Sequence, residues 1–471
     1  MSHTNDSETV SIGKESKVIK HMRNFDVIVI GAGPGGYVAA IRAAQLGKTV
    51  AIIEKEKIGG ACLNVGCIPS KTLLKHSEMV EEIKKASAWG IHTGELSIDF
   101  PKLMQRKDQV VRTLTSGVDY LLKKNNITLF QGKASVNKEL VVAVGDEKIK
   151  GQDILLATGS KPFVPPINGL DQIDYMTTDS FFDLKELPES MVIIGGGVIS
   201  VELAFAMAPL GTKVTIAEVA HDILLTEDPD ARKIIKNQLK KKNIEIITNA
   251  EIQEVKKDKI VIANREIAYN KLLVATGRKP NIEVVQQLEL EMDTANRFVA
   301  VNDDYETSQK HVYAVGDVIG GYQLAHAASA EGLIAVHAMN GETQRPLDQT
   351  GIPRCVYTHP EIASFGLNEE QAKEAGYDVK VTKSLLVGNG KAIAMGETEG
   401  FVKIISDSNY QEILGAVIVG TSATELIGEV LAVKHSEGTM NELASLVQAH
   451  PSVSEAITEN ANVLFQQAIH M

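Results

Sequence analysis

The chain has 471 residues, of which 44% are hydrophobic and 5% aromatic, and its formal net charge is −12. The length predicts two to four domains with a sizeable core. The acidic balance and the few aromatic side chains argue against nucleic-acid binding, and no apolar run reaches the roughly 18 residues of a membrane span. Residues 1–22 are polar and lack an apolar segment, so we predict a mobile tail without a targeting signal, and a cytoplasmic protein.

The first predicted unit begins with an apolar, β-branched strand at residues 25–30, which leads directly into the glycine-rich loop 31–36. A helical pattern follows, and then a second strand that ends at Glu54. Glycines at this spacing let the backbone approach a pyrophosphate at the helix N-terminus, and an acid about 20 residues later accepts from a ribose hydroxyl. The pattern therefore predicts a dinucleotide site, and the alternative is a purely structural tight turn.

Two of the three cysteines, Cys62 and Cys67, lie five positions apart just after this strand. A regular helix would separate their Cα atoms by roughly 8–9 Å, whereas a disulfide needs about 4.4–6.8 Å. A bond between them would require a distorted turn, which Gly66 and Pro69 suit, and Pro69 would then open a helix at Ser70. So few cysteines, two of them paired in this way, predict redox catalysis in a reducing compartment; the alternative is two structural thiols.

The pattern of the first unit then repeats. Helices are predicted at residues 70–88 and 100–124, and the proline-rich residues 161–166 are typical of a linker or turn. A second strand, glycine loop (195–200), helix and strand ending at Glu218 follow, and both units close on Ala-Thr-Gly. Ser200 stands where the third glycine of the motif usually falls, and this replacement still allows the loop to contact a phosphate. The repeat predicts a second dinucleotide unit without redox cysteines.

The remaining chain predicts two further segments. A strand leading to Asp317 and an alanine-rich helix come first, and alternating strands and helices from residue 352 predict a separate α+β domain. Gly388 to Lys391 faintly resembles a phosphate-binding loop but lacks its first glycine and its Ser/Thr. The predicted divisions are a tail (1–22), a first nucleotide domain (23–168), a second (169–280), a central segment (281–351) and a last domain (352–471).

Three motifs carry a resemblance to a known family: Cys-Leu-Asn-Val-Gly-Cys-Ile-Pro-Ser-Lys at 62–71, Val-Gly-Asp at 315–317 and His-Pro-Ser-Val-Ser-Glu at 450–455. Together they resemble the pyridine nucleotide–disulfide oxidoreductases from about Asn24 to the C-terminus. Ala61 and Ser452 stand where the family usually has threonine, which affects rate rather than identity. The resemblance implies an α/β fold with two Rossmann-like domains, for FAD and NAD, a central segment completing the FAD site, and a C-terminal α+β dimerisation domain. It implies no metal.

The resemblance is strongest to the branch of the family that oxidises dihydrolipoamide. It implies a homodimer that works on lipoyl domains bound to the acyltransferase core of a 2-oxo acid dehydrogenase-type complex. Electrons would pass from the substrate through a Cys62–Cys67 disulfide and FAD to NAD. Cys62 would exchange with the substrate and Cys67 would touch the flavin.

The family motifs also imply the site residues. The catalytic positions would be Cys62, Cys67, His450, Glu455, Lys71 and Glu202, and Lys71 and Glu202 would form an ion pair beside the flavin ring. The positions implied for the nucleotide cofactors are Gly31, Gly33, Gly35, Gly36, Glu54, Gly60, Lys71, Gly132, Thr158, Gly159, Ser160, Asp317, Gln323, Leu324, Ala325, His326, Gly195, Gly197, Val198, Glu202, Glu218, Gly277 and Arg278. His450 would act as a base oriented by Glu455, and it would serve the thiols of the neighbouring chain.

Three alternatives are less well supported. Glutathione-type reductases use NADPH, yet Glu218 is followed by Val219 and Ala220 with no arginine nearby to accept a 2′-phosphate, which favours NAD. Mercuric reductase would need cysteines near the C-terminus, and a purely structural subunit would need no thiol pair. The third cysteine, Cys355, is predicted to be a small buried hydrophobic residue.

Overall fold

The computed structural model describes residues 22–470, so the predicted tail at 1–22 lies outside the described residues except for Met22. The fold is α/β, as predicted, and consists of two parallel-sheet units followed by an antiparallel sheet. Within the described residues, no helix has the length and apolar character needed to cross a membrane.

The first unit is built on a seven-stranded sheet. Its elements are β1 (Arg23–Ile30), α1 (Pro34–Gln45), β2 (Val50–Glu54), α2 (Gly60–Val65), α3 (Cys67–Lys85), α4 (Phe100–Lys124), β3 (Thr128–Gln131), β4 (Ala134–Val136), β5 (Val141–Val144) and β6 (Glu147–Leu156). Strands β3, β2, β1 and β6 are parallel, and β5 and β4 continue the sheet in antiparallel pairing. β2 is buried along its whole length, as is the second half of β1, which explains why both are apolar runs.

The second unit repeats this plan with a five-stranded parallel sheet. Its elements are β7 (Ser160–Pro162), β8 (Met176–Thr177), β9 (Ser190–Ile194), α5 (Val198–Met207), β10 (Lys213–Ala217), α6 (Pro229–Lys241), β11 (Glu245–Ile247), β12 (Ile252–Val255), β13 (Lys259–Ile262), β14 (Arg265–Ala268), β15 (Lys271–Val274) and β16 (Arg278–Pro280). Strands β12, β13 and β14 form a separate antiparallel meander.

Two short strands join the units. β7 leaves the first unit and β16 returns from the second, and the two pair antiparallel with Ser160 opposite Pro280 and Pro162 opposite Arg278. The proline-rich segment predicted as a linker or turn therefore begins as one strand of a ribbon. The sequence could not indicate this, because the partner strand lies more than 100 positions away.

The rest of the chain completes the first sheet and then forms the last domain. Its elements are α7 (Glu283–Leu288), β17 (Val312–Ala314), α8 (Ala325–Met339), β18 (Arg354–Val356), β19 (Glu361–Gly366), α9 (Glu369–Glu374), β20 (Val379–Leu385), α10 (Gly390–Met395), β21 (Phe401–Asp407), β22 (Ile413–Gly420), α11 (Ala423–His435), α12 (Met440–Ser445) and α13 (Glu455–Leu464). β17 pairs with β6 in the first sheet, whereas β18-β19-β22-β21-β20 form an antiparallel sheet.

The helix that carries the cysteine motif differs from its prediction. α3 begins at Cys67 rather than Ser70, and Gly66 (φ −134°, ψ −111°) separates it from α2. Pro69 therefore lies at the third position of the helix. A proline is tolerated there because the first-turn amides have no partner within the helix. The helical break at Gly66 agrees with the predicted distortion.

Candidate active site

The break at Gly66 brings the two cysteines of the motif together. Cys62 lies in α2, Cys67 is the first residue of α3, and both are half-buried free thiols in this structure. The Cys62 thiol donates a hydrogen bond to the Cys67 sulfur, which lowers the pKa of Cys67 to about 7; the Lys71 ammonium also lowers it, and burial opposes both. The same hydrogen bond, together with burial, raises the pKa of Cys62. The pair is thus a dithiol in which Cys67 ionises first.

An ion pair stands one helical turn beyond Cys67. Lys71 Nζ lies 2.7 Å from Glu202 Oε2, with side chains 33% and 5% exposed. Glu202 is buried because α5 is apolar around its whole circumference and packs against α3. The structure therefore brings together two predicted residues that are 131 positions apart.

A residue that the sequence analysis missed completes this cluster. Tyr357 follows β18, its backbone N–H donates to Glu202 Oε1 at 2.9 Å, and its ring centre lies 4.3 Å from Lys71 Nζ. No pattern around position 357 indicates this contact, because it depends on how the last domain packs on the first two.

The first glycine loop has the shape that a dinucleotide requires. Gly31 has φ +107°, and a Cβ there would overlap the Ala157 carbonyl, while one on Gly36 would overlap the Gly31 carbonyl. At Gly33, in contrast, a Cβ would meet nothing nearer than 3.9 Å, at the open N-terminus of α1. The Glu54 carboxylate closes the site by accepting from the amides of Ala32 (2.8 Å) and Glu56 (2.7 Å).

The second loop reproduces this arrangement. Gly195 has φ +110° and a Cβ there would overlap the Ala275 carbonyl, whereas Gly197 has no atom of another residue within 4 Å of a built Cβ. Glu218 accepts from the Gly196 and Ala220 amides, the latter at 2.7 Å. Val198 begins α5, and Ser200, in place of the third glycine, directs its hydroxyl to the Ala275 carbonyl at 3.4 Å.

The remaining positions implied for a flavin surround the first loop. A Cβ on Gly60 would lie 2.7 Å from Gly33 Cα, so the start of α2 approaches the glycine loop closely. Gly132 donates to the Glu54 carbonyl, and Gly35 packs against Ala328 of α8. Thr158 and Gly159 also belong to this set, and both make hydrogen bonds with Asn281. The remaining members are at the start of α8: Gln323, Leu324, Ala325 and His326.

Two observations in that segment bear on whether a ligand fits. The Gln323 side-chain nitrogen is buried and has no partner among the described residues. Gln323 also has φ +53°, an unusual backbone conformation for a residue with a side chain. An unsatisfied buried donor just before α8, the helix that packs on the glycine loop at Gly35, fits a polar ligand such as FAD.

The residues of the ribbon between the units are joined by side-chain hydrogen bonds. The Ser160 hydroxyl donates to Asp317 and accepts from Arg278 Nε at 2.7 Å. Arg278 also donates to the Ser160 carbonyl at 2.9 Å and lies 3.3 Å from Asp179. Its guanidinium is therefore occupied by protein partners, and Gly277 precedes it at φ +106°.

His450 does not contact the thiols of its own chain. Its ring Nδ1 lies 2.9 Å from Glu455 Oε1, and the side chain is 81% exposed. Glu455 also accepts from the Ser452 amide, and this bond and the histidine keep the pKa of Glu455 below its usual value. The structure thus pairs the predicted base with its predicted orienting acid at a surface.

The third cysteine lies between the core of the last domain and the ion pair. Cys355 is half-buried in β18, and burial raises its pKa to about 11. Lys71 and Glu202 act electrostatically on it. It is therefore a neutral thiol at neutral pH, and it packs against the hydrophobic core of the last domain as a small, partly buried residue.

The fold and the site together define an oxidoreductase that has two dinucleotide-binding units and a redox-active pair of thiols. Residues 25–332 match the pyridine nucleotide-disulphide oxidoreductase family, and residues 352–461 match the dimerisation domain of that family. The chain belongs to the pyridine nucleotide-disulphide oxidoreductases. As a member of this family it is a flavoprotein enzyme with FAD and NAD as cofactors, and its dimerisation domain supports a homodimer.

Within this family, the chain is similar to several dihydrolipoyl dehydrogenases and to solved flavoprotein structures. The chain is 40% identical over 469 residues to a dihydrolipoyl dehydrogenase of Bacillus subtilis, with 95% of this chain and 99% of the relative covered. It is 38% identical over 457 residues to one of Chlamydia muridarum, at 95% and 98% coverage. Among solved structures, LpdA from Mycobacterium tuberculosis matches with a TM-score of 0.86 and 25% identity, over 94% of this chain and all of that one. The HOCl-induced flavoprotein disulfide reductase RclA from Escherichia coli, as a Cu(II) complex, matches with a TM-score of 0.84 and 29% identity, at 94% and 100% coverage.

Proposed function

We propose that the protein oxidises dihydrolipoamide to lipoamide and reduces NAD. The observation that carries the proposal is the hydrogen-bonded thiol pair with the Lys71–Glu202 ion pair beside it. The naming of relatives that cover nearly the whole chain supports the substrate. The domain divisions at residues 168, 280 and 351 are part of the same proposal.

The residues that would hold FAD are those of the first glycine loop, Glu54, Asp317 and the start of α8, and those for NAD are the second loop and Glu218. Both loops leave room for a phosphate at a helix N-terminus, where backbone amides favour an anion. The chemistry that bound FAD and NAD supply is two-electron transfer from the dithiol to the nicotinamide.

The thiol chemistry belongs to the residues of the chain itself. With the pair oxidised, a substrate thiolate attacks Cys62, the Cys62–Cys67 bond breaks, and Cys67 leaves as a thiolate. The second substrate thiol then attacks the sulfur bound to Cys62, so lipoamide is released and Cys62 regains a proton. The substrate loses two electrons and two protons; the base takes one proton and Cys62 the other, which leaves the pair as the Cys62 thiol and the Cys67 thiolate. The lowered pKa of Cys67 suits it as the leaving group.

A base must take the proton of the attacking thiol, and we assign this role to His450 of the neighbouring chain. An imidazole has a pKa near neutrality, and Glu455 would stabilise the imidazolium. The high exposure of His450 within one chain supports this assignment, since a partner can then approach it. The substrate dithiol would arrive on lipoyl domains of a 2-oxo acid dehydrogenase-type complex with an acyltransferase core.

Purified protein tests the proposal directly. We expect a bound yellow flavin and NADH formation from dihydrolipoamide and NAD, measured by absorbance at the nicotinamide band. Single Cys62→Ser and Cys67→Ser variants should retain flavin and lose this turnover. A flavin-containing protein that fails to turn over dihydrolipoamide would contradict the proposed substrate.

The preference for NAD gives a second prediction. Replacing Glu218 with alanine should raise the KM for NAD about tenfold or more, because one charged hydrogen bond to a ribose is lost. The matched control is Glu54→Ala in the first unit, which has the same two amide contacts. That variant should weaken flavin retention and leave the KM for NAD unchanged. Equal use of NAD and NADP by the native protein would contradict the assignment of Glu218.

A further inference from the structure

Tyr357 contacts both members of the ion pair near the thiols. Its backbone N–H binds Glu202 Oε1 at 2.9 Å, while Lys71 binds the other carboxylate oxygen at 2.7 Å. Each oxygen of this carboxylate, which is 5% exposed, therefore has its own hydrogen-bond partner, and the two contacts restrain the group from opposite sides. The ring of Tyr357 covers the Lys71 ammonium at 4.3 Å.

Lys71 needs such restraint more than Glu202 does. A lysine ammonium ends a flexible four-carbon stem and is strongly hydrated, and this side chain is 33% exposed. The ion pair alone leaves the ammonium free to swing about one oxygen. An aromatic face attracts a cation electrostatically and excludes water from one side of it. The ring thus provides a second, differently directed contact.

We propose that Tyr357 is a positioning residue that holds the Lys71 ammonium beside Cys67, through its ring, and the Glu202 carboxylate, through its backbone amide. This inference rests on the proposed function, in which Cys67 is the leaving thiolate. It concerns the thiol alone, however, and can be tested without turnover.

The groups that act on Cys67 come from the three helices α2, α3 and α5. Cys62 of α2 donates to it, Lys71 of α3 is the neighbouring cation, and Glu202 of α5 is an opposing anion. Burial raises the pKa of the Tyr357 hydroxyl to about 12, so this group is neutral at the pH of catalysis and places no charge beside Cys67. Lys71 is therefore the cation that acts on Cys67, and its position contributes, after the hydrogen bond from Cys62, to how readily the thiol ionises.

The contacts of Tyr357 separate cleanly by mutation. Any replacement other than proline keeps the backbone N–H that donates to Glu202, so the contact that changes is that of the ring with Lys71. Tyr357→Phe keeps a ring without the hydroxyl, and Tyr357→Leu removes the ring. A matched control is Phe163→Leu, which removes a ring lying 4.2 Å from Lys279 Nζ in the segment between the units.

The experiment uses flavin-loaded protein in a Cys62→Ser, Cys355→Ala background, so that Cys67 is the remaining cysteine. The serine hydroxyl introduced at position 62 can still donate to the Cys67 sulfur. The rate of iodoacetamide alkylation of Cys67 is followed against pH, with peptide masses to identify the site. Because only the thiolate reacts, the midpoint of this profile reports the pKa of Cys67.

We expect Tyr357→Leu to raise the midpoint by about half a pH unit, since a loosened ammonium stabilises the thiolate less. Tyr357→Phe and Phe163→Leu should match the parent. An unchanged midpoint in Tyr357→Leu would overturn the inference, and an equal shift in Tyr357→Phe would overturn the role of the ring. If Tyr357→Leu loses its flavin, Tyr357→Met is measured in its place with the same expected shift.

These outcomes are distinguishable from failure of the proposed function. A shifted midpoint, together with native protein that contains flavin but does not oxidise dihydrolipoamide, would overturn the proposed substrate and retain the positioning role. Turnover with an unshifted midpoint would do the reverse.

Discussion

Replacing His450 with glutamine is expected to lower kcat/KM for dihydrolipoamide by about 10²–10⁴-fold, the usual contribution of a positioned general base. Glutamine can still donate to Glu455 but cannot carry the proton. Flavin content and the reduction of artificial acceptors by NADH should stay at native levels, because these do not involve the substrate thiol. Steady-state rates with the two substrate pairs provide the measurement.

The chain offers a matched control for this substitution. His470 pairs with Glu459 at 3.1 Å in the same domain and is 73% exposed, so it repeats the chemistry of the His450–Glu455 pair outside the family motif. His470→Gln should leave the kinetics unchanged. A comparable loss in both variants would mean that the domain was disturbed rather than a base removed.

Mixing two inactive variants tests which chain supplies the base. Cys62→Ser and His450→Gln should each be nearly inactive as homodimers. After subunit exchange, a mixed dimer has one site with both groups intact and should regain up to about half of the native activity per dimer. Proven exchange without recovery would show that His450 works within its own chain.

Gly33→Ala is expected to produce a folded protein that has lost nearly all of its flavin. A Cβ at this position meets no protein atom nearer than 3.9 Å, so the fold has room for it. The methyl group would, however, occupy the surface that a pyrophosphate must approach. The ratio of flavin to protein absorbance, together with far-ultraviolet circular dichroism, measures the two effects separately.

The repeated architecture supplies the control. Gly197→Ala adds the same methyl to the second loop, where nothing of the protein lies within 4 Å of it. It should keep its flavin and raise the KM for NAD about tenfold or more. Full flavin retention by Gly33→Ala, or flavin loss in Gly197→Ala, would contradict the assignment of the two loops to FAD and NAD.

Local pattern predicted the elements of the nucleotide units well. The helix Phe100–Lys124 and the strand Lys213–Ala217 have the predicted bounds, because amphipathic periodicity and apolar runs are visible over short windows. The predicted start of α3 was wrong by three residues. Proline fits several positions of a first helical turn, so it does not define where the helix begins.

Contacts between segments far apart in the sequence could not be predicted from the sequence pattern without the family resemblance. Lys71 and Glu202 were paired only through that resemblance, and Tyr357, 155 positions after Glu202, was not found at all. Its contribution is a backbone amide and a ring face, which any tyrosine could offer. Only the packing of three domains decides which tyrosine does so.

The pairing of β7 with β16 makes the second unit an insertion between two parts of the first unit. The chain leaves the first unit at Ser160 and returns at Pro280, directly opposite on the paired strand. The two ends of the insertion are therefore neighbours, and no strand of its parallel sheet is shared with the flavin sheet. An ancestral or engineered exchange of the second unit could therefore change the preference for NAD or NADP and leave α3 and the first glycine loop as they are. A replacement for the second unit would have to reproduce the side-chain hydrogen bonds that Ser160 makes with Asp317 and Arg278.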